Sequence, residues 1–312
     1  MKDETPSVFV LGSFVMGFTI KTKCLPTIGE TVIGSNFNLG IGGKGFNQAI
    51  AAKRAGANVN ILVCTGNDEF GEIAKKTLLN EGISIDNLIA LENESSGCGF
   101  VTLLTSGENT ILIDPGANLK LDVAKVEAVK DAIIKSKILM AQLEIPINSV
   151  TYAFEIAKKN NLLTILNPAP AQKLPLALLK NIDILTPNET EAKIILGLDP
   201  DADIAIDLLA EKLLNTGVKT IILTRGKHGA LIISNNDNKT IAAPKIDAVD
   251  STGAGDCFNG NLVAALLQGK TVEEAVNIAV LAGAYCAQYL GVFDGLPSQK
   301  QLIEFKETVQ YT

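Results

Sequence analysis

Short apolar runs rich in β-branched residues alternate along the chain with stretches whose apolar positions recur every three or four residues. The runs at 8–12 (VFVLG), 60–66 (NILVCTG), 137–143 (KILMAQL), 162–167 (LLTILN), 183–188 (DILTPN) and 219–226 (KTIILTRG) are nearly continuous and bounded by turn residues. Runs of that length read as strands buried on both faces. Between them the spacing predicts helices over 44–55, 71–81, 122–135, 147–160 (with Pro146 near its start), 188–196 and 203–215. Further helices are predicted over 254–268, 271–289 and 298–309. The strand–helix rhythm predicts an α/β fold, a three-layer arrangement with a mostly parallel central sheet and helices on both faces.

Two regions break that rhythm. Residues 14–39 and 97–113 hold strand-like pieces with no helix between them, and the second reads as a hairpin turning at Ser106-Gly107-Glu108. Together they predict a small antiparallel β flap, a lid built from 14–42 and 97–116. The segment 230–244 predicts one more hairpin. With no internal repeat, low-complexity segment or linker, residues 1–312 read as one domain with that lid inserted.

Composition narrows the function. Apolar residues make up 47% and charged residues 20%, with a formal charge of −7 and a pI near 5.0. That balance argues against a nucleic-acid-binding face, and one histidine and no tryptophan leave few stacking platforms. No segment approaches the roughly 20 apolar residues needed to span a bilayer, and acidic residues stand where a signal peptide is basic. Cys24, Cys64, Cys98, Cys257 and Cys286 are scattered and form no C-x-x-C pair, which fits reduced thiols. The expectation is a cytoplasmic protein with no nucleic-acid or membrane partner.

The glycine-rich stretch GIGGKGFNQA (40–49) meets G-x-G-x-x-G through Gly40, Gly42 and Gly45. The context is wrong for a dinucleotide fold, because Asp68, at the expected distance, sits in a turn rather than at a strand end. A Walker A loop fails too: Gly45 follows Gly43-Lys44 where Ser or Thr must hold magnesium. What remains is a tight strand-to-helix turn or a place where backbone approaches a ligand, with Lys44 and Asn47 as donors beside it.

The better anion site is DAVDSTGAGDCFNG (247–260), where Gly253, Ala254 and Gly255 lead into an apolar helix. Small residues there leave backbone N–H groups facing outward at the positive end of the helix dipole. They suit charge building up on a transferring phosphoryl group. Asp256 beside such a hole makes sense as a base accepting the proton of an attacking hydroxyl. The plain alternative is a first-turn Asp favoured by the dipole.

GGKGFNQAIAAKRAG, NPAPA (167–171), TPNETEA (186–192) and DSTGAGDCFNG together resemble the ribokinase/PfkB family of carbohydrate kinases, in particular its ribokinase branch, from about residue 7 to 300. The resemblance implies the ribokinase-like fold and ATP-dependent phosphorylation of a sugar hydroxyl, a pentose such as ribose. By that likeness Gly42, Gly43, Lys44, Asn47 and Glu144 hold the sugar, Asp256 is the base, and Gly253, Ala254 and Gly255 form the anion hole. Asn188, Thr224, Gly226, Gly229, Gly255 and Asn277 fall on the nucleotide side. Asn188 and Glu191 match a motif that organises Mg2+ through bound water, though Asn-x-x-Glu opening a helix is also a capping box. Asp250, Thr252 and Gly291 match a monovalent-cation site, implying K+. His228, in the nucleotide loop, reads as a solvated turn residue.

The family also implies a homodimer through the lid, since an exposed sheet tends to be covered. One stretch departs from the pattern. Where the branch carries G-S-x-N-x-D to grip sugar hydroxyls, this chain reads Gly12-Ser13-Phe14-Val15-Met16-Gly17, and Phe46 stands where a small residue is usual. A nucleoside kinase, or a non-catalytic sugar-binding protein of the same fold, is the alternative.

Overall fold

The computed structural model describes residues 6–106, 108–235 and 238–311, and these build two β-sheets. The larger runs in the order β13 (Asn238–Ile241), β12 (Ala230–Ser234), β11 (Thr220–Thr224), β10 (Ile184–Leu185), β9 (Leu163–Leu166), β8 (Ile138–Ala141), β1 (Ser7–Leu11), β4 (Asn58–Gly66), β5 (Leu88–Leu91). Every pairing from β5 across to β11 is parallel. Only β12 and β13 turn back, as the hairpin expected over 230–244.

The period of two along each strand explains why the apolar runs are continuous. Val8 and Val10 enter the core on one face of the sheet while Phe9 and Leu11 enter the core on the other, all four without solvent exposure. The first core is closed by α1 (Lys44–Arg54), α2 (Glu69–Asn80), α9 (Ala254–Leu267), α10 (Val272–Cys286) and α11 (Gln299–Thr308). The second is closed by α3 (Val123–Ala128), α4 (Lys130–Lys135), α5 (Ile147–Lys159), α6 (Leu176–Leu179), α7 (Glu189–Ile195) and α8 (Ile206–Leu214). Burying such side chains stabilises the fold by about 1.5–3 kcal/mol each. The single helix expected over 122–135 is two, broken at Val129 (φ −106°, ψ 11°), and β5 went unread.

The smaller sheet is the lid, ordered β3 (Ser35–Gly42), β2 (Val15–Thr22), β6 (Gly97–Leu104), β7 (Asn109–Asp114). β2/β3 and β6/β7 are antiparallel, but the central β2/β6 pair is parallel, from Val15↔Gly97 to Thr22↔Leu104. The reason is topological: β2 and β6 are joined by a long crossover through β3, α1, β4, α2 and β5 rather than by a turn. Gly107, in the predicted turn of the second hairpin, lies outside the described residues.

The roots of the two hairpins are tied together by Asn118. Its Oδ1 accepts from the Phe14 amide at 2.9 Å, and its Nδ2 donates to the Phe14 carbonyl at 2.7 Å and the Pro115 carbonyl at 2.8 Å. Asp68 is placed likewise. It caps α2 through the Gly71 amide and accepts from both the amide and the hydroxyl of Ser96, so it anchors the entry to β6, the turn position expected of it.

From β1 the chain builds outward to β4 and β5, then returns to place β8 on the opposite side of β1. Strand order reverses there, and the crevice beyond the carboxyl ends of the strands at such a point is where open α/β sheets bind ligands.

Candidate active site

The residues that leave those strand ends converge. Ser13 follows β1, Gln142 and Glu144 follow β8, Asn167 follows β9, and Thr186 and Asn188 follow β10. Against them lie the first turns of α1 and α9. These two helices touch so closely that a Cβ on Gly260 would run into Ala51, and this approach carries Asn47 and Gln48 to Asp256.

Asp256 is 6% exposed and both carboxylate oxygens are held by amide donors. Asn47 Nδ2 reaches Oδ2 at 3.0 Å and Gln48 Nε2 reaches Oδ1 at 2.9 Å. Gln48 is itself fixed: its Nε2 also donates to Asn167 Oδ1 at 2.9 Å and its Oε1 accepts from Gln142 Nε2 at 2.6 Å. The network continues from Asn167 to the Thr186 carbonyl and from the Thr186 hydroxyl to Asn259, whose amide donates to the Gly255 carbonyl. Burial pushes the Asp256 carboxyl up from its ordinary value; the Lys44 charge and the two amide donors pull it back, and Glu144 adds to the rise. A carboxylate so placed is more basic than a solvated one, as a proton acceptor near neutral pH needs.

The turn before Asp256 faces outward. Gly253 is the N-cap of α9 in the left-handed region (φ 78°), where a Cβ would run into Val292. Ala254 donates to the Ser251 carbonyl, whereas no hydrogen bond within the described residues satisfies the amides of Gly255 and Asp256. Nothing stands within 4 Å of where a Gly255 Cβ would be. These are the free donors that a helix N-terminus offers an anion.

The glycine loop is built for contact rather than openness. Gly43 has φ 93°, and a Cβ there would lie 2.7 Å from the Ser13 carbonyl; a Cβ on Gly45 would run into Gly12. Glu144 Oε2 accepts from the Lys44 amide at 2.8 Å and from the Ser13 hydroxyl at 2.5 Å, so a protein carboxylate already fills the start of α1. Phe46 points away from the site into the core, edge-on to Phe14 at 5.0 Å.

Asn188 and Glu191 form a full capping box on α7, Asn188 Oδ1 accepting from the Glu191 amide at 2.8 Å and Glu191 Oε2 from the Asn188 amide at 2.9 Å. Burial raises the Glu191 carboxyl, with the Asn188 amide and Lys44 opposing and Asp256 adding to the rise, which puts it in the same electrostatic neighbourhood as Asp256. Thr224 pairs with Asn188 in a parallel bridge, and Gly226 (φ 52°) and Gly229 (φ 79°) shape the turn that follows, with His228 exposed on it. Asn277 is joined to none of these; exposed on α10, its amide donates to the Glu273 carbonyl. Asp250 accepts from the Thr252 amide at 2.9 Å and the Gly291 amide at 3.1 Å, which brings the three cation-site candidates together.

Gln48, Gln142, Asn167 and Ser13 had no role assigned from the sequence. Their signal was there: Gln48 and Gln142 are polar residues inside apolar stretches, and a buried amide needs partners.

Residues 5–299 match the pfkB family carbohydrate kinase description. The ribokinase of Haemophilus influenzae is 37% identical over 96% of this chain and 97% of its own length. Among solved structures, the ribokinase from Thermotoga maritima superimposes with a TM-score of 0.88 at 31% identity, covering 97% of this chain and all of that one. A ribokinase from Arabidopsis thaliana complexed with ribose and ATP gives a TM-score of 0.88 at 28% identity over 97% of this chain and 99% of that one. The buried carboxylate, the open helix start beside it and this likeness over nearly the whole length agree, and the chain belongs to the pfkB family of carbohydrate kinases.

Proposed function

We propose that this chain transfers the γ-phosphoryl group of ATP to a hydroxyl of a pentose of the ribose type, acting as one catalytic unit with the 14–42 and 97–116 strands as its lid. The observation that carries the reading is the pair of unsatisfied amides at Gly255 and Asp256 next to a carboxylate held by two donors. The acceptor hydroxyl gives its proton to Asp256 as its oxygen bonds to the γ-phosphorus. The bond from that phosphorus to the β–γ bridging oxygen breaks, and ADP leaves. The amides of Gly255 and Asp256 hold the charge on the equatorial oxygens, one residue on from the 253–255 set expected from the sequence, because the Ala254 amide is spent on the Ser251 carbonyl. Closure of the lid keeps water from taking the phosphoryl group.

Lys44, Asn47 and Glu144, with the backbone of Gly42 and Gly43, position the sugar. Thr224, Gly226, Gly229 and Asn277 belong to the nucleotide side. Among the described residues no three His, Cys, Asp or Glu side chains converge on one point, so there is no all-protein metal cage. One carboxylate and one amide, Glu191 and Asn188, would hold a Mg2+ that keeps most of its waters, and the ion would supply positive charge against the nucleotide phosphates. Asp250, Thr252 and Gly291, joined by the two amide bonds to the Asp250 carboxylate, would hold a K+ beside the turn before α9.

The reading extends to a homodimer. Phe37, Leu39, Phe100 and Leu112 are 64%, 43%, 51% and 73% exposed on the lid, more contiguous apolar surface than a solitary sheet leaves bare. No helix among the described residues is long and apolar enough to cross a membrane, and the five free thiols fit the cytoplasm.

The test is ADP release with ribose, with and without K+, in the parent chain and in Asp256→Asn. The substitution is expected to lower kcat at least about a hundredfold while ATP binding stays within about twofold. Turnover near that of the parent would remove Asp256 from the chemistry.

A further inference from the structure

The register of the lid sets Gly40, Gly17 and Gly99 side by side across β3, β2 and β6, with Ile113 of β7 completing the row. None of the three glycines has a positive φ. A Cβ on Gly17, Gly40 or Gly99 would find nothing nearer than 3.4, 4.0 and 3.6 Å. Neither backbone conformation nor packing within the chain therefore asks for glycine at these positions, although glycine inside a strand weakens it. Three adjacent ones leave a trough in the sheet, bordered by Val15, Val101 and Ile113 and, at its outer end, by Thr19 and Asn38.

Alternation fixes which way the trough faces. Phe14 and Met16 point into the core, whereas Ser13, on the other side, bonds Glu144, which in turn bonds the Lys44 amide. Val15 and Gly17 continue the Ser13 side outward at about 3.3 Å per residue, so the trough overhangs the pocket of Lys44, Glu144 and Asp256. At the floor of that pocket Asn47 Oδ1 is a second pointer to a ligand. Asn47 is 4% exposed and this oxygen has no partner in the structure.

Resting on the kinase reading above, we propose that the acceptor is a substituted pentose, whose phosphorylated hydroxyl meets Asp256 and whose far side carries an apolar or aromatic glycosidic group seated in the Gly17–Gly40–Gly99 trough. The wall offers such a group methyl and backbone contacts, with the Asn38 amide and the Thr19 hydroxyl as the polar groups at its outer end. A plain or deoxy sugar would leave the trough vacant, forfeiting the dispersion contacts of its lining.

ADP release by the full chain is measured with ribose, 2-deoxyribose, methyl β-ribofuranoside and inosine. One of the two substituted acceptors is expected to exceed ribose and 2-deoxyribose in kcat/KM by at least tenfold. Gly17→Val, which fills the trough, is expected to lower the ratio of kcat/KM for that acceptor to kcat/KM for ribose at least tenfold. A ratio measured on one preparation is unaffected by the fraction misfolded. Ribose or 2-deoxyribose as the best acceptor, or an unchanged ratio in Gly17→Val, overturns the proposal and leaves the kinase standing. ADP release with none of the four acceptors overturns both. A change in light-scattering mass of Gly17→Val with the ratio unchanged assigns the trough to a second copy of the lid and overturns the proposal as well.

Discussion

Two helices in this molecule begin in the same way and have been put to opposite uses. Both α1 and α9 start from a glycine with positive φ, Gly43 at 93° and Gly253 at 78°, and neither has a side-chain cap. At α1 the free amides are consumed by the protein: Lys44 by Glu144, Gly45 by the Ser13 hydroxyl at 3.4 Å, Phe46 by the Ser13 carbonyl at 3.0 Å. At α9 the amides of Gly255 and Asp256 are left over, in front of open space. A glycine-rich turn into a helix is therefore no phosphate signal in itself. What matters is whether the neighbouring strand ends have already supplied an acceptor.

That contrast can be broken at either end. The largest effect is expected for Gly43→Ala, where a strained φ and overlap with the Ser13 carbonyl and Phe14 Cα destabilise the fold by about 2–4 kcal/mol. Denaturant melts measure it, and a loss below about 1 kcal/mol would show that the α1 start is not tightly packed. At α9, Gly255→Ala has room for its methyl group and should leave stability within about 0.5 kcal/mol. If phosphate occupies that space, kcat/KM for ATP falls about tenfold, near 1.4 kcal/mol; unchanged kinetics would place the phosphate elsewhere.

Two smaller effects sharpen the account of the base. Gln48→Leu removes one donor from the ionised Asp256 while Lys44, Glu144 and Glu191, the charged groups around it, stay in place. The acid limb of the pH profile of kcat/KM should move upward by about one pH unit. A profile that drops in height without shifting would make Gln48 a packing residue only.

The smallest effect is on stability. Because burial raises the folded-state pKa of Asp256, the protonated form is the one folding favours. That stabilisation is complete below the unfolded value of about 4 and is lost as pH rises through the folded value. Asp256→Asn escapes the loss, and Asn47 Oδ1, now without a partner, can accept the new N–H. Its Tm should exceed the parent's by about 2 °C at pH 8 and match it near pH 4. A variant less stable at pH 8 would mean that Lys44 outweighs burial.

Much of this was legible before any coordinates. Continuous apolar runs such as VFVL and NILV gave away a sheet covered on both faces, and the Gly-Ala-Gly-Asp start of α9 marked a helix end with nothing bulky to fill it. What stayed hidden depends on long-range pairing. Gln48 meets Gln142 and Asn167 across 94 and 119 residues, and no periodicity encodes that. The parallel β2/β6 pair follows from a crossover whose length a hairpin pattern does not reveal. The missed break at Val129 is local, but it needs only one residue to leave helical geometry.

Asn118 has a mechanical consequence. One fully enclosed amide clamps the first residue before β2 to the turn after β7, so the roots of the two hairpins are fixed to each other. With β2 and β6 also paired along their whole length, displacing one hairpin would drag the other, so any closure of this sheet would be that of a plate on a hinge instead of two independent fingers.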